Sequence, residues 1–261
     1  YYLKQNKNTK VFTIQHATHS LNKWAVNYKH NEFFNDKSNN IKIHWPDFYL
    51  VHGNQFKNIL SKYYPLSQIK LLGSVKYDSI PIVYKNPKKK TKLKIGFFLS
   101  NGEQFELLSL YKYLKHEIPN FEMVICPHPK YINETKKVIF DVDLNLEIID
   151  RNLSSLEVLK QIDFCIYTSS SIFIEALLLD VNHIIKYKTS SINQTSLFIE
   201  NDNCELIHEC ISKKEVLNVI MNSKFKSNNI ENSREFILKN YIFNYNYNAS
   251  DRLIDLLQKT H

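Results

Sequence analysis

Glycine is scarce: there are only four in 261 residues. No GxGxxG turn, Walker A loop or GxSxG elbow occurs, and HExxH is missing as well. These absences argue against a dinucleotide site and a serine-hydrolase elbow. Cysteine is equally sparse, at four residues: Cys126, Cys165, Cys204 and Cys210. None forms a CxxC pair, which argues against a structural zinc site or a disulfide framework and fits a reduced, cytoplasmic setting. No run of about 18 apolar residues is present, so no transmembrane helix is expected. No signal-peptide pattern opens the chain. It begins at Tyr1 without an initiator methionine, from which we expect either a missing upstream piece or a trimmed start.

What is present is ordinary globular composition, 43% hydrophobic and 23% charged. That length suits one large or two modest domains. The net charge is +8, a balance that attracts nucleic acid, anionic membrane or phosphorylated substrates. The lysines are dispersed apart from Asn86–Lys92 (NPKKKTK). No nucleic-acid-binding signature accompanies them. Richness in Asn, Lys and Ile also makes part of the charge compositional.

Along the chain, strand-like and helix-like runs alternate. Strands are expected in KVFTIQ, DFYLV and IKLL, with a helix in NQFKNILSKYY. A Pro- and Lys-rich stretch follows and reads as a linker. Then come KLKIGFFLS, FEMVIC, NLEIID, DFCIYT and NHIIKYK as strands, separated by helical runs. Continuous apolar strands alternating with helices predict parallel sheets covered on both faces, an α/β fold of two Rossmann-like units with a helical tail. We divide the chain into a first unit at 1–82, a linker at 83–92 and a second unit at 93–261. Ser154 or Ser155, Ser212, Ser233 and Ser250 are the expected N-caps.

Ligands of open parallel sheets lie beyond the carboxyl ends of the strands. Residues that follow strand ends are His16, His52, Gly53, Gly73, Ser100, Asn101, His128 and Thr168 to Ser171. Three serines, Ser169, Ser170 and Ser171, open an apolar helix after Thr168. Hydroxyls beside a helix N-terminus suit a phosphate, although one of them would suffice as a plain cap. Glu175 lies one turn inside and points back toward that end, where it can accept from a ribose or serve only as a helix carboxylate. His128 sits between two prolines with Lys130 beside it, at the edge expected for the serines. His16 ends an early strand and suits general-base work on a hydroxyl, with His19 the weaker candidate. Gly73 marks a close backbone approach, and Asp78 either lines the cleft or closes a turn.

These features recur together in a known order: Gln15–His16 after an early strand, Leu71–Ser74 with Tyr77 and Asp78 before the linker, His128–Pro129 after a strand, and the serine cluster with Glu175–Ala176 behind it. In this the chain resembles the GT-B glycosyltransferases of bacterial surface polysaccharide synthesis. The similar groups are the CMP-sugar users (sialyl-, polysialyl- and Kdo transferases) and the CDP-glycerol glycerophosphotransferases, whose closing segment resembles Phe243–Leu257. The resemblance implies that His128 and Ser169–Ser171 hold the nucleotide phosphate and aid the leaving group. It implies His16 as the base, with Ala17 standing where those families have glycine. Ser100 and Asn101 would line the cleft with Gly73 and Asp78. It further implies a cytidine-activated donor, a glycan or glycolipid acceptor, no metal or cofactor, no nucleic-acid partner and a place at the cytoplasmic face of the inner membrane. The alternatives are an isomerase like UDP-N-acetylglucosamine 2-epimerase, a degenerate nucleotide-binding scaffold, and, on charge alone, a nucleic-acid binder.

Overall fold

The computed structural model describes residues 9–15, 46–62, 64–80, 93–99, 104–128, 131–141, 154–168, 170–181, 183–188, 206–222, 229–243 and 248–259. They fall into two compact units; the chain passes from the first to the second between Ser79 and Ile80 and returns inside one helix, between Arg234 and Glu235. The proposed linker and the expected strand in NLEIID lie outside the described residues.

The first unit holds β1 (Phe12–Ile14), β2 (Phe48–Val51), α1 (Asn54–Leu60) and β3 (Ile69–Leu71). The strands are parallel in the order β1-β2-β3. Parallel neighbours need a crossover, and α1 supplies the one between β2 and β3. Its Phe56 and Ile59 are buried. The tail from Glu235 onward belongs to this unit as well. That corrects the expectation that the second unit runs to residue 261. The physical reason is apolar: Leu50, Leu72 and Ala249 form a buried cluster, against which Phe12, Phe48, Leu253 and Leu256 pack. A sheet this small leaves its face wet unless a helix covers it, and α8 (Ala249–Lys259) does so.

The second unit contains β4 (Lys94–Phe98), α2 (Gln104–Glu117), β5 (Glu122–Cys126), α3 (Ile132–Asp141), α4 (Ser155–Gln161), β6 (Phe164–Tyr167), α5 (Ile172–Leu178), β7 (His183–Tyr187), β8 (Ile207–Cys210) and α6 (Lys213–Asn222). The sheet is parallel throughout, in the order β5-β4-β6-β7-β8. Every residue of β6 and β7 is buried, as expected for strands covered on both faces. One face carries Ile95, Phe97, Ile125, Phe164, Ile166 and Ile185 against Leu107, Leu110 and Leu114 of α2 and Val216 and Ile220 of α6. Gly96 lies on the other face, where an added Cβ would stand 2.9 Å from Ile162 Cδ1. Both units are therefore parallel α/β, as the alternation predicts. No helix among the described residues is long and apolar enough to cross a membrane.

Caps follow the sequence in part. Ser154 closes a full capping box with Glu157, and Ser212 Oγ accepts from Glu215 N at 3.2 Å. Ser233 does not cap, because α7 (Asn229–Ile242) begins four residues earlier. Ser250 lies within α8, where Asn248 Oδ1 accepts from its backbone N–H at 2.9 Å. Strand β8 goes beyond the sequence expectation, since its IHEC run shows neither a continuous apolar stretch nor an alternation.

Candidate functional site

In the second unit β5 and β6 flank β4 on opposite sides, so the chain reverses its direction of winding there. Such a switch point opens a crevice beyond the carboxyl ends of the strands. The register sets what borders it. Phe98 pairs with Cys126 on one side and with Tyr167 on the other. These last residues of three strands are level, with β5 and β6 roughly 10 Å apart across β4. His128 comes two residues after Cys126, and Thr168 and Ser170 follow Tyr167. The structure thus brings His128, Thr168, Ser170 and Ser171 to one edge.

Each is held differently. Thr168 is fully buried. Ser170 Oγ accepts from Ile172 N at 3.2 Å and caps α5. Ser171, the formal N-cap position, makes no side-chain cap bond. One serine therefore suffices as cap, which leaves the Ser171 hydroxyl outside that task. His128 is exposed. Its carbonyl accepts from Tyr131 N at 2.8 Å and closes a turn. The His128 and Tyr131 rings lie 5.4 Å apart at 43°.

Glu175 is a buried carboxylate at 5% exposure. Its field reaches two thiols. Burial pushes Cys126 up to about 11, with Glu175 adding to the rise. Cys165 is raised well above its ordinary range by burial, then by Cys126 and Glu175. Both cysteines lie on the sheet face opposite the α2–α6 core, so Glu175 sits beneath the edge that carries His128 and the serines.

Lys186 escaped the sequence reading. It is buried in β7, level with Tyr167. Its Nζ lies 3.4 Å from Glu209 Oε1, and Lys188 Nζ lies 2.5 Å from Glu209 Oε2. Two ammonium groups share one carboxylate. The one available signal was a lysine inside the apolar run HIIKY.

Lys130, Ser169, Ser100 and Asn101 lie outside the described residues, as do His16 and His19. In the first unit Gln15 Oε1 accepts from His52 N at 2.8 Å and ties the ends of β1 and β2 together. Gly53 is needed for packing: an added Cβ would lie 2.1 Å from Asn240 O. Gly73 has φ +88, and a Cβ there would stand 2.3 Å from Arg252 Nη2. The expected close approach is real, but the group that approaches is α8. Asp78 Oδ1 accepts from Ala249 N at 2.8 Å, and Oδ2 accepts from Ser250 N at 2.9 Å and Ser250 Oγ at 2.7 Å. Both of its oxygens anchor the first turn of α8. That is a structural role, favoured by the positive end of the helix.

Among the described residues, no group of three or more His, Cys, Asp or Glu could hold a metal ion.

No family profile and no curated protein matches this chain. Solved structures do. Staphylococcus aureus TarM, a mutant in complex with fondaparinux, alpha-GlcNAc-glycerol and UDP, superposes with a TM-score of 0.60 at 14% identity, covering 98% of this chain and 51% of that one. UDP-GlcNAc 2-epimerase from Neisseria meningitidis bound to UDP-GlcNAc gives 0.54 at 14% identity, over 82% of this chain and 62% of that one. The wall teichoic acid polymerase TagF with CDPG gives 0.51 at 13% identity, over 82% and 56%. The chain spans about half the length of the structures first matched, 54% and 51%. What is shared at this identity is the fold, two Rossmann-like units as in GT-B proteins.

Proposed function

We propose that this chain is a transferase acting on a nucleotide-activated sugar or alditol phosphate, with the nucleotide held by the second unit. The observation that carries the reading is the register at the switch point, which levels Cys126, Phe98 and Tyr167 and so gathers His128 and the serine turn at one edge. Three fold neighbours support it through what their names record as bound: UDP, UDP-GlcNAc and CDPG. We favour a cytidine donor and a surface-glycan acceptor, because the His128–Pro129 and serine pattern resembles the CMP-sugar and CDP-glycerol transferases.

In this reading His128, Lys130 and the hydroxyls of Thr168, Ser169, Ser170 and Ser171 donate to the phosphate. Negative charge grows on that phosphate as the glycosyl or phosphoryl bond breaks, and fixed donors stabilise it without reorganisation. Glu175 accepts from the ribose hydroxyls. His16 takes the proton of the attacking acceptor hydroxyl. Basic residues do the neutralising, so the mechanism calls for no metal. The net charge of +8 favours anionic donors and an anionic inner-membrane surface, on its cytoplasmic face, where a glycolipid acceptor would reside.

The test is thermal unfolding of the chain against CMP, CDP, UDP, GDP and AMP, repeated with His128→Ala. A ligand at about 100 times its Kd adds about 2.7 kcal/mol, or about 5–10 °C for a chain of this size. Stabilisation by a cytidine nucleotide that His128→Ala abolishes is the expected result. A preference for UDP would favour the second reading, an isomerase like the Neisseria epimerase, which interconverts its sugar without any acceptor. No response to any nucleotide would remove both readings in favour of a scaffold.

A further inference from the structure

His128 is exposed, yet its surroundings restrain it more than a surface side chain requires. Directly before α3, its carbonyl accepts from Tyr131 N at 2.8 Å. The proline that follows it confines its backbone to extended conformations. The Tyr131 ring lies 5.4 Å from the imidazole at 43°, a tilted arrangement within the favoured range for ring pairs. Backbone and side chain are thus restrained by the same residue.

We infer that Tyr131 is a positioning residue for His128: its ring selects the rotamer that points the imidazole over the switch-point edge. The proposal rests on the phosphate-binding reading for its purpose, though its geometry stands apart from it. A histidine with two free torsions must be ordered when it meets an anion. The tyrosine ring orders it beforehand, and preorganisation of one such side chain is worth about two- to tenfold in affinity. The phenol contributes through its ring face, so phenylalanine serves equally well. Tyr131 needs no contact with the ligand.

The experiment is proton–carbon NMR of the histidine rings together with calorimetry of CDP binding. The chain has ten histidines, and the His128 signal is assigned by its loss in His128→Gln. In the wild type its ring protons are displaced by the tyrosine ring current. The displacement persists in Tyr131→Phe and disappears in Tyr131→Leu, chosen to keep bulk, and in Tyr131→Ala. CDP affinity falls about two- to tenfold in the Leu and Ala variants and not in Phe. Unchanged His128 resonances in Tyr131→Leu would overturn the inference. A loss of affinity in Phe equal to that in Leu would also overturn it, since the hydroxyl would then be binding the ligand itself. If CDP fails to bind the wild type while the His128 resonances still follow Tyr131, the positioning stands and the nucleotide reading falls.

Discussion

His183 makes this protein acid-sensitive by a calculable amount. The ring lies at the start of β7 at 5% exposure, and neither nitrogen has a hydrogen-bond partner among the described residues. It stacks on Phe164 at 5.0 Å and 18°, with the His208 ring 6.0 Å away. Burial disfavours the imidazolium, His208 adds to that, and Asp163 opposes it, leaving the pKa pushed down from 6.5 to about 4. Between those values the unfolded chain holds a proton on this ring that the folded chain does not. Stability therefore rises with pH across the window: the contribution is complete above pH 6.5 and is lost as pH falls to about 4. At about 1.4 kcal/mol per pH unit the loss reaches at most about 3 kcal/mol. Urea unfolding of wild type and His183→Leu at pH 7.5, 5.5 and 4.5 isolates it, since the carboxylates that drive ordinary acid unfolding are common to both. The two midpoints should diverge as pH falls, with the leucine variant losing less. At pH 7.5 leucine should be neutral or stabilising, because it removes buried polar atoms without partners. Parallel slopes for the two proteins would refute the argument.

Three further outcomes follow from other contacts. Asp78→Ala removes three hydrogen bonds from the first turn of α8 and should cost about 2–3 kcal/mol, with early tryptic cleavage at Arg252 or Lys259 as the readout. Asp180 ends α5 at φ 57 and its carboxylate is paired with buried Arg234. Arg234→Met should therefore cost about 3–5 kcal/mol in chemical unfolding, and Asp180→Gly in the same chain, which suits that backbone, should recover most of it. Cys126 and Cys210, pushed up to about 11 and about 12 by burial, should resist iodoacetamide at pH 8 in the native chain. Peptide mapping that finds either one rapidly alkylated would contradict their surroundings.

The strands of the second unit could be read because their burial leaves an uninterrupted apolar signature. FCIY and HIIKY announce themselves in that way. Strand β8 did not, since an edge strand with His208 and Glu209 turned partly outward lacks it. The convergence of His128 with the serine turn was also legible, because strand ends in one parallel sheet must meet at one edge. What could not be read was any role decided by distant partners. Asp78 and Gly73 resemble loop residues until α8 arrives some 170 positions later, at separations of 171 and 172 for the Asp78 bonds. Lys186 was hidden for the same reason, its partner Glu209 lying 23 residues away on an unanticipated strand. Ser233 misled because a serine inside a helix looks locally like one that starts it.

The return of the tail to the first sheet has a consequence for how the chain is made. A ribosome releases β1, β2 and β3 well before the helix that covers Leu50 and Leu72, because the whole second sheet lies between them in the chain. The middle of the chain carries everything its own sheet requires. It can fold while the first strands still wait, exposed and unpartnered on one face. Order of synthesis and order of folding are thereby inverted, and chains cut short before α8 should leave a sound second unit attached to an aggregation-prone first one.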